Sequence, residues 1–304
     1  MPQALHRLAG AALAATLAAA LPATAADPVS AAYSILVINN VAAKAPLRSF
    51  SMAEVVPVDP VGQVRDYKTP TTATPECKFT FAFETGQQPQ LYQWVGQGLR
   101  AQPVKDNVDA VRTYSVRAPA LLSGLVLLAG PGGALEAQRE FSDAAITSLE
   151  FPSLDAHGKD EAAGFKADGI CRETRAYAGT KASVSLPARA KGHWLASGYR
   201  LTVSGFDFAH ASHIAAFTWT AGKTPTLVVT VPAADAASFK SALAHSGVGH
   251  DGRLELVGAN GQVLFTVQLT GVVLQAMKAV AAGSVEATLV PTNATFTASP
   301  AASL

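Results

Sequence analysis

The sequence predicts a mainly β chain arranged as two tandem β-rich domains, on three observations. Short segments alternate apolar with polar residues, as a strand with one buried face requires. The chain has 304 residues, more than the ~100–200 residues usual for one domain. One order of elements also occurs twice along it.

The strands are expected at Ser34–Val41, Lys78–Phe83, Ala145–Phe151, Arg200–Ser204, Leu227–Val231, Arg253–Val257, Gln262–Thr270 and Glu286–Val290, with a further short strand over Ala215–Thr220. Asn260-Gly261 lies between two of them, and both residues tolerate the positive φ of a tight hairpin turn, so a hairpin is expected there. Gly130-Pro131-Gly132-Gly133 reads as a turn after an apolar strand. Two helices stand against this background. Gln90–Leu99 follows Pro89 and sets Leu91, Trp94 and Val95 on one face; Ala233–His245 carries Phe239 and Leu243 at helical spacing and stops near Gly247.

The repetition is read from Tyr33-Ser34-Ile35-Leu36-Val37 with Phe50-Ser51-Met52 downstream, echoed by Tyr199-Arg200-Leu201-Thr202-Val203 with Phe217-Thr218-Trp219 downstream. Lys78–Phe83 and its helix then match Leu227–Val231 and its helix, and Ala145–Phe151 matches Val263–Leu269. The first copy has the longer connections, notably 52–75 and the apolar segment Ala118–Gly133. The linker-like stretch Ser185–Lys191, with Pro187, Ala188 and Ala190, places the boundary. The expected domains are therefore 27–187 and 188–304.

Residues 1–26 are set apart from both. His6 and Arg7, the apolar run Leu8–Leu21 and the small-residue close Pro22-Ala23-Thr24-Ala25-Ala26 form the three regions of a cleavable export signal. The run is shorter than the ~20 strongly apolar residues of a membrane span. A periplasmic or extracellular protein with no membrane span in its mature chain is the expectation. The leader holds one of the 23 basic residues and none of the 22 acidic ones, so the mature chain is neutral. That argues against nucleic acid as a partner, which calls for clustered basic charge. Cys77 and Cys171 are the two cysteines. In an oxidising compartment one intramolecular disulfide is expected, the alternative being two separate buried thiols.

The motifs that carry chemistry are missing. No Gly-x-Ser-x-Gly elbow occurs, and Gly130–Gly133 lacks the Lys and Ser/Thr of a phosphate loop. Asp207, His210 and His213 have metal-ligand chemistry, but they sit on a connection between strands where two imidazoles need not converge. His245 and His250 read as loop residues, and Glu150, Asp155, Asp160 and Glu161 as a solvated edge. No catalytic residue, cofactor site or metal site is expected.

One stretch resembles a known family. Arg139-Glu140-Phe141-Ser142-Asp143-Ala144-Ala145-Ile146-Thr147-Ser148-Leu149-Glu150 leads into Phe151-Pro152-Ser153-Leu154-Asp155, with Lys159-Asp160 shortly after. It is similar to a signature of phage tail-tube-like proteins, in which a strand ends in a Phe-Pro-x-Leu-Asp turn. His193–Leu201, continuing through Val203, Gly205 and Asp207 to Ile214–Thr218, resembles the opening of the second copy in tandem members, and Leu91-Tyr92-Gln93-Trp94 the start of the first helix. The match is ordered along most of residues 33–290. The resemblance implies two antiparallel barrels or sandwiches, each with a short flanking helix, in a non-enzymatic protein that self-associates into rings. Single-domain members of the family form six-fold rings, so three two-domain chains would close one. The export signal and the apolar segment Ala118–Gly133, where a shorter polar hairpin is expected, depart from the family. The alternative reading is a monomeric binding module whose barrel mouth or loop face takes a small molecule, glycan or protein.

Overall fold

A computed structural model describes residues 33–54, 77–100, 121–158, 164–178, 183–186, 194–236, 239, 249–281 and 283–303. The expected signal 1–26, most of the boundary stretch, His245, Asp160 and Glu161 lie outside them.

The chain is mainly β. Its elements in order are β1 (Tyr33–Ile38), β2 (Val41–Ala42), β3 (Ser49–Glu54), β4 (Cys77–Phe83), α1 (Pro89–Leu99), β5 (Leu122–Ala129), β6 (Leu135–Phe151), β7 (Leu154–Asp155), β8 (Phe165–Cys171) and β9 (Glu173–Ala178). There follow β10 (Trp194–Val203), β11 (His213–Ile214), β12 (Phe217–Thr220), β13 (Leu227–Pro232), β14 (His250–Gly258), β15 (Val263–Ala281), β16 (Ser284–Val290), β17 (Asn293–Ala298) and a 3-10 turn, Pro300–Ser303.

They form two sheets. One runs β2-β1-β5-β6-β8-β4-β3, with β9 and β12 also on β6; the other runs β10-β14-β15-β16-β13-β11-β7, with β17 also on β15. The pairings repeat: β1 with β5, β5 with β6, β6 with β8 and β9, and β8 with β4 in the first sheet have as counterparts β10 with β14, β14 with β15, β15 with β16 and β17, and β16 with β13 in the second. Irregularities repeat with them. β5 slips against β6 between Leu122 and Gly124, and β14 slips against β15 between His250 and Gly252. Opposite each slip the long strand carries a left-handed residue, Asp143 at φ 48° and Gly271 at φ 62°. Its amide donates to the side chain just before the glycine, Ser123 Oγ in one repeat and Asp251 Oδ1 in the other, both at 3.3 Å. The glycines keep the slip closed, since a Cβ on Gly124 would lie 2.7 Å from Val37 O and one on Gly252 2.6 Å from Thr202 O. A second slip recurs further along, between Ile146 and Ser148 in β6 and between Leu274 and Ala276 in β15.

This register corrects several expectations. The segment Ser34–Val41 is two strands, because Asn39 and Asn40 take φ 51° and 62° and turn the chain back between β1 and β2. Asparagine reaches the left-handed region at small cost, and two such residues make the turn that suits strand twist. The apolar segment Ala118–Gly133 contains β5, the counterpart of β14, so its strand is part of the repeated unit. Ala145–Phe151 is the second half of a long strand, whereas Val263–Leu269 is the first half of its counterpart and matches Leu135–Phe141. At the hairpin between β14 and β15 only Gly261 takes a positive φ, 77°. Its amide closes the turn onto Gly258 O at 2.8 Å. In the second expected helix, Ala236 and Phe239 are helical and buried, and the remainder after Ala236 lies outside the described residues.

Helix α1 forms where sequence reading expects it. Pro89 opens it, where a missing N–H is harmless. Leu91, Tyr92, Trp94, Val95 and Leu99 are all buried. Gln88, just before it and buried, donates Nε2 to Leu36 O at 2.9 Å and so ties the helix start to β1.

Candidate functional site at the junction of the two repeats

The residues that attract attention in the sequence for metal chemistry do not assemble. His210 Nδ1 lies 3.1 Å from Asp235 Oδ2, while Asp207 Oδ1 accepts the Ala209 amide at 2.9 Å in a local turn. His213 is engaged in β11, opposite Asp155 on one side and Thr230 on the other. His250 packs edge-on against Phe206, with ring centroids 4.9 Å apart. Among the described residues no three His, Cys, Asp or Glu side chains group as a metal site would need. Glu150 pairs with Lys166 at 3.4 Å across strands, both half-exposed, and Asp155 Oδ1 caps the His157 amide at 2.9 Å.

Cys77 and Cys171 do meet. They stand opposite each other at the end of the β4–β8 ladder, 4.9 Å apart at Cα, and form a disulfide. It closes a separation of 94 residues within the first repeat.

The best-built feature is the contact between the repeats. Strand β12, from the second repeat, leaves its own sheet and pairs with the end of β6 in the first, Phe217 opposite Phe151 through to Thr220 opposite Ser148. The Phe151 and Phe217 rings stack at 4.4 Å. Just beyond, the Ala221 amide donates to Thr147 O at 2.8 Å. In exchange β7, from the first repeat, pairs with β11 of the second. The turn Phe151-Pro152-Ser153-Leu154-Asp155 lies at this crossing, since Phe151 ends β6 and Leu154-Asp155 is β7.

Helix α1 is wedged beside it. A Cβ on Gly96 would come 2.6 Å from Phe296 O in β17, and one on Gly98 would come 2.9 Å from Ile146 Cβ in β6. Glycine inside a helix costs about 1 kcal/mol relative to alanine, and the close approach to both sheets is what these two glycines allow. Buried Tyr92 bolts the helix to the far end of the chain. Its hydroxyl lies 3.0 Å from both Ala302 O and Glu84 O and accepts the Gln87 amide at 3.2 Å. Burial pushes this phenol well above its ordinary range.

Phe165 centres the shared core. Its ring contacts Phe83 and Phe151 from its own repeat and Trp194, Phe265 and Phe296 from the other, with centroids 4.9–5.6 Å apart. One continuous cluster of buried apolar side chains therefore spans both sheets.

Tyr199, on β10, faces β7 across the same junction, and its hydroxyl donates to Ala211 O at 2.9 Å. Burial, followed by the nearby Asp155 carboxylate, pushes its pKa from the ordinary 10.0 up to about 12. The folded chain thus keeps this proton to higher pH than the unfolded chain does. Its contribution to stability is complete below pH 10 and is lost as pH rises toward about 12. In urea titrations across that window, Tyr199→Phe is expected to lose less stability than the parent chain. Equal alkaline losses in the two proteins would contradict this.

The sequence reading missed this junction. Gly96 and Gly98 on the apolar helix were its local trace; the choice of β6 as partner for β12 left none. Among the described residues no helix is long and apolar enough to cross a membrane. Fold and junction together define a mainly β protein of two sheets built on a repeated unit and joined by exchanged strands. No protein-family model and no curated protein matches the chain.

Proposed function

We propose that this chain is a non-enzymatic, exported structural subunit that associates with copies of itself, three chains to a ring, as its resemblance to tail-tube-like proteins implies. The observation that carries the reading is the exchange of β7 and β12 between the repeats. It is an interface between two like units, made from backbone pairing and a shared aromatic core. A chain that holds one such contact internally has the means to make it again with another copy. The disulfide and the export signal suit a subunit that works outside the reducing cytoplasm. Light scattering across a concentration series is expected to show the mass of three chains, and a monomer at every concentration would overturn the proposal.

A groove favours the second reading, a monomeric binding module. It lies over β1, β5, β6 and β9, has a volume of about 430 Å³, and is lined by Val37, Asn39, Ser123, Phe141, Glu140 and Arg175. That volume is within the range of small-molecule sites. The same measurement separates the two, because a binding module stays monomeric.

A further inference from the structure

The two repeats differ in what covers them. The end of β6 is paired on both sides, with β8 on one and β12 on the other. The matching end of β15, Ala276–Ala281, pairs with β16 on one side and, among the described residues, with no strand on the other. The side chains follow suit. Leu149 and Phe151 are fully buried in β6, whereas Met277 and Ala279, in the same places on β15, are half-buried and exposed. Val280 beside them is 44 % exposed, one of four large apolar side chains left open among the described residues.

The opposite imbalance holds on the other flank. In β17, Ala294 and Phe296 are buried, and α1 packs on this strand at Phe296. Their counterparts on β9, by the shared register against the long strands, are Thr174 and Ala176. Thr174 is half-buried, its hydroxyl donating to Met52 Sδ at 2.9 Å, and Ala176 on the same face is exposed. Each repeat thus buries one flank against its partner and leaves bare the flank that the other has buried.

We propose that these two bare flanks are partners, so that the β15 end of the second repeat seats the β9 face of the first repeat of another copy. This rests on the self-assembly reading and adds to it which surfaces meet. The flanks that meet are the counterparts of those that already touch within the chain, where the ring of Phe151 at the end of β6 lies 6.2 Å from that of Phe296 in β17. The two flanks are different surfaces, so the contact is head-to-tail and closes into a ring when the rotation per chain permits. The strand end bearing Met277, Ala279 and Val280 is an open edge with exposed apolar side chains, a surface that association covers.

The test uses the mature chain and two charge substitutions at exposed positions, Ala279→Glu on one flank and Ala176→Glu on the other, with far-UV circular dichroism confirming that each variant folds. In light scattering the parent chain is expected to assemble and each variant alone to remain monomeric. An equimolar mixture should give a heterodimer with one chain of each kind, since it retains one intact pair of flanks. Variants that assemble as the parent does would overturn the assignment of surfaces while leaving self-assembly intact. A loss caused by only one of the two would show a symmetric contact and overturn the head-to-tail arrangement, as would a mixture that stays monomeric. A monomeric parent chain would overturn this proposal and the self-assembly reading together.

Discussion

Phe165→Ala is expected to lower the unfolding free energy by about 3–5 kcal/mol, the usual range for truncating a large buried aromatic. The ring is 1 % exposed and touches aromatic side chains of both repeats. Its removal opens a cavity at the centre of the junction, where closely packed rings on all sides limit collapse. A typical domain is stable by only about 5–15 kcal/mol, so the variant should melt far below the parent chain. Because the core is continuous, the parent is expected to unfold in one transition and not repeat by repeat. Chemical denaturation followed by near-UV and far-UV circular dichroism checks both points. A loss under about 1 kcal/mol, or separate transitions in the parent, would mean that the repeats are independent bodies.

Removing the disulfide is the second large effect. Replacing both Cys77 and Cys171 by Ala is expected to destabilise the chain by up to about 4.7 kcal/mol, the chain-entropy figure for a loop of about 100 residues. Both cysteines are buried, at 2 % and 3 % exposure. The loop they close contains α1, β6 and β7, the elements that form the first repeat's side of the junction. Intact mass before and after reduction establishes the bond in exported protein, and denaturant midpoints of the double variant give its worth. Free thiols in exported material, or unchanged midpoints, would contradict this account.

Much of the fold was legible because local chemistry governed it. The alternation in Lys78–Phe83 and Val263–Leu269 marks strands with one buried face, and both are strands. Cys77 at the start of one strand and Cys171 at the end of another are joined as expected. What was illegible depends on which surfaces meet. β5 is a run of leucines interrupted by Gly124, whereas its counterpart β14 carries Asp251, Arg253 and Glu255. The two strands keep the same pairing in different surroundings, so their sequences do not align and β5 reads as an insertion. Phe217-Thr218-Trp219-Thr220 reads as a strand, but nothing local says that its partner is β6 in the other repeat. The candidate site lies in that long-range choice, and only its by-products, two helix glycines and a Phe-Pro turn, were written locally.

On the proposed assembly, the contact between chains joins the counterparts of the flanks that meet between repeats. Electron microscopy of the purified mature protein at assembling concentration tests it most directly. Closed rings of six similar lobes, two from each of three chains, are expected. Uniform two-lobed particles that never join, at concentrations well above those of light scattering, would contradict it.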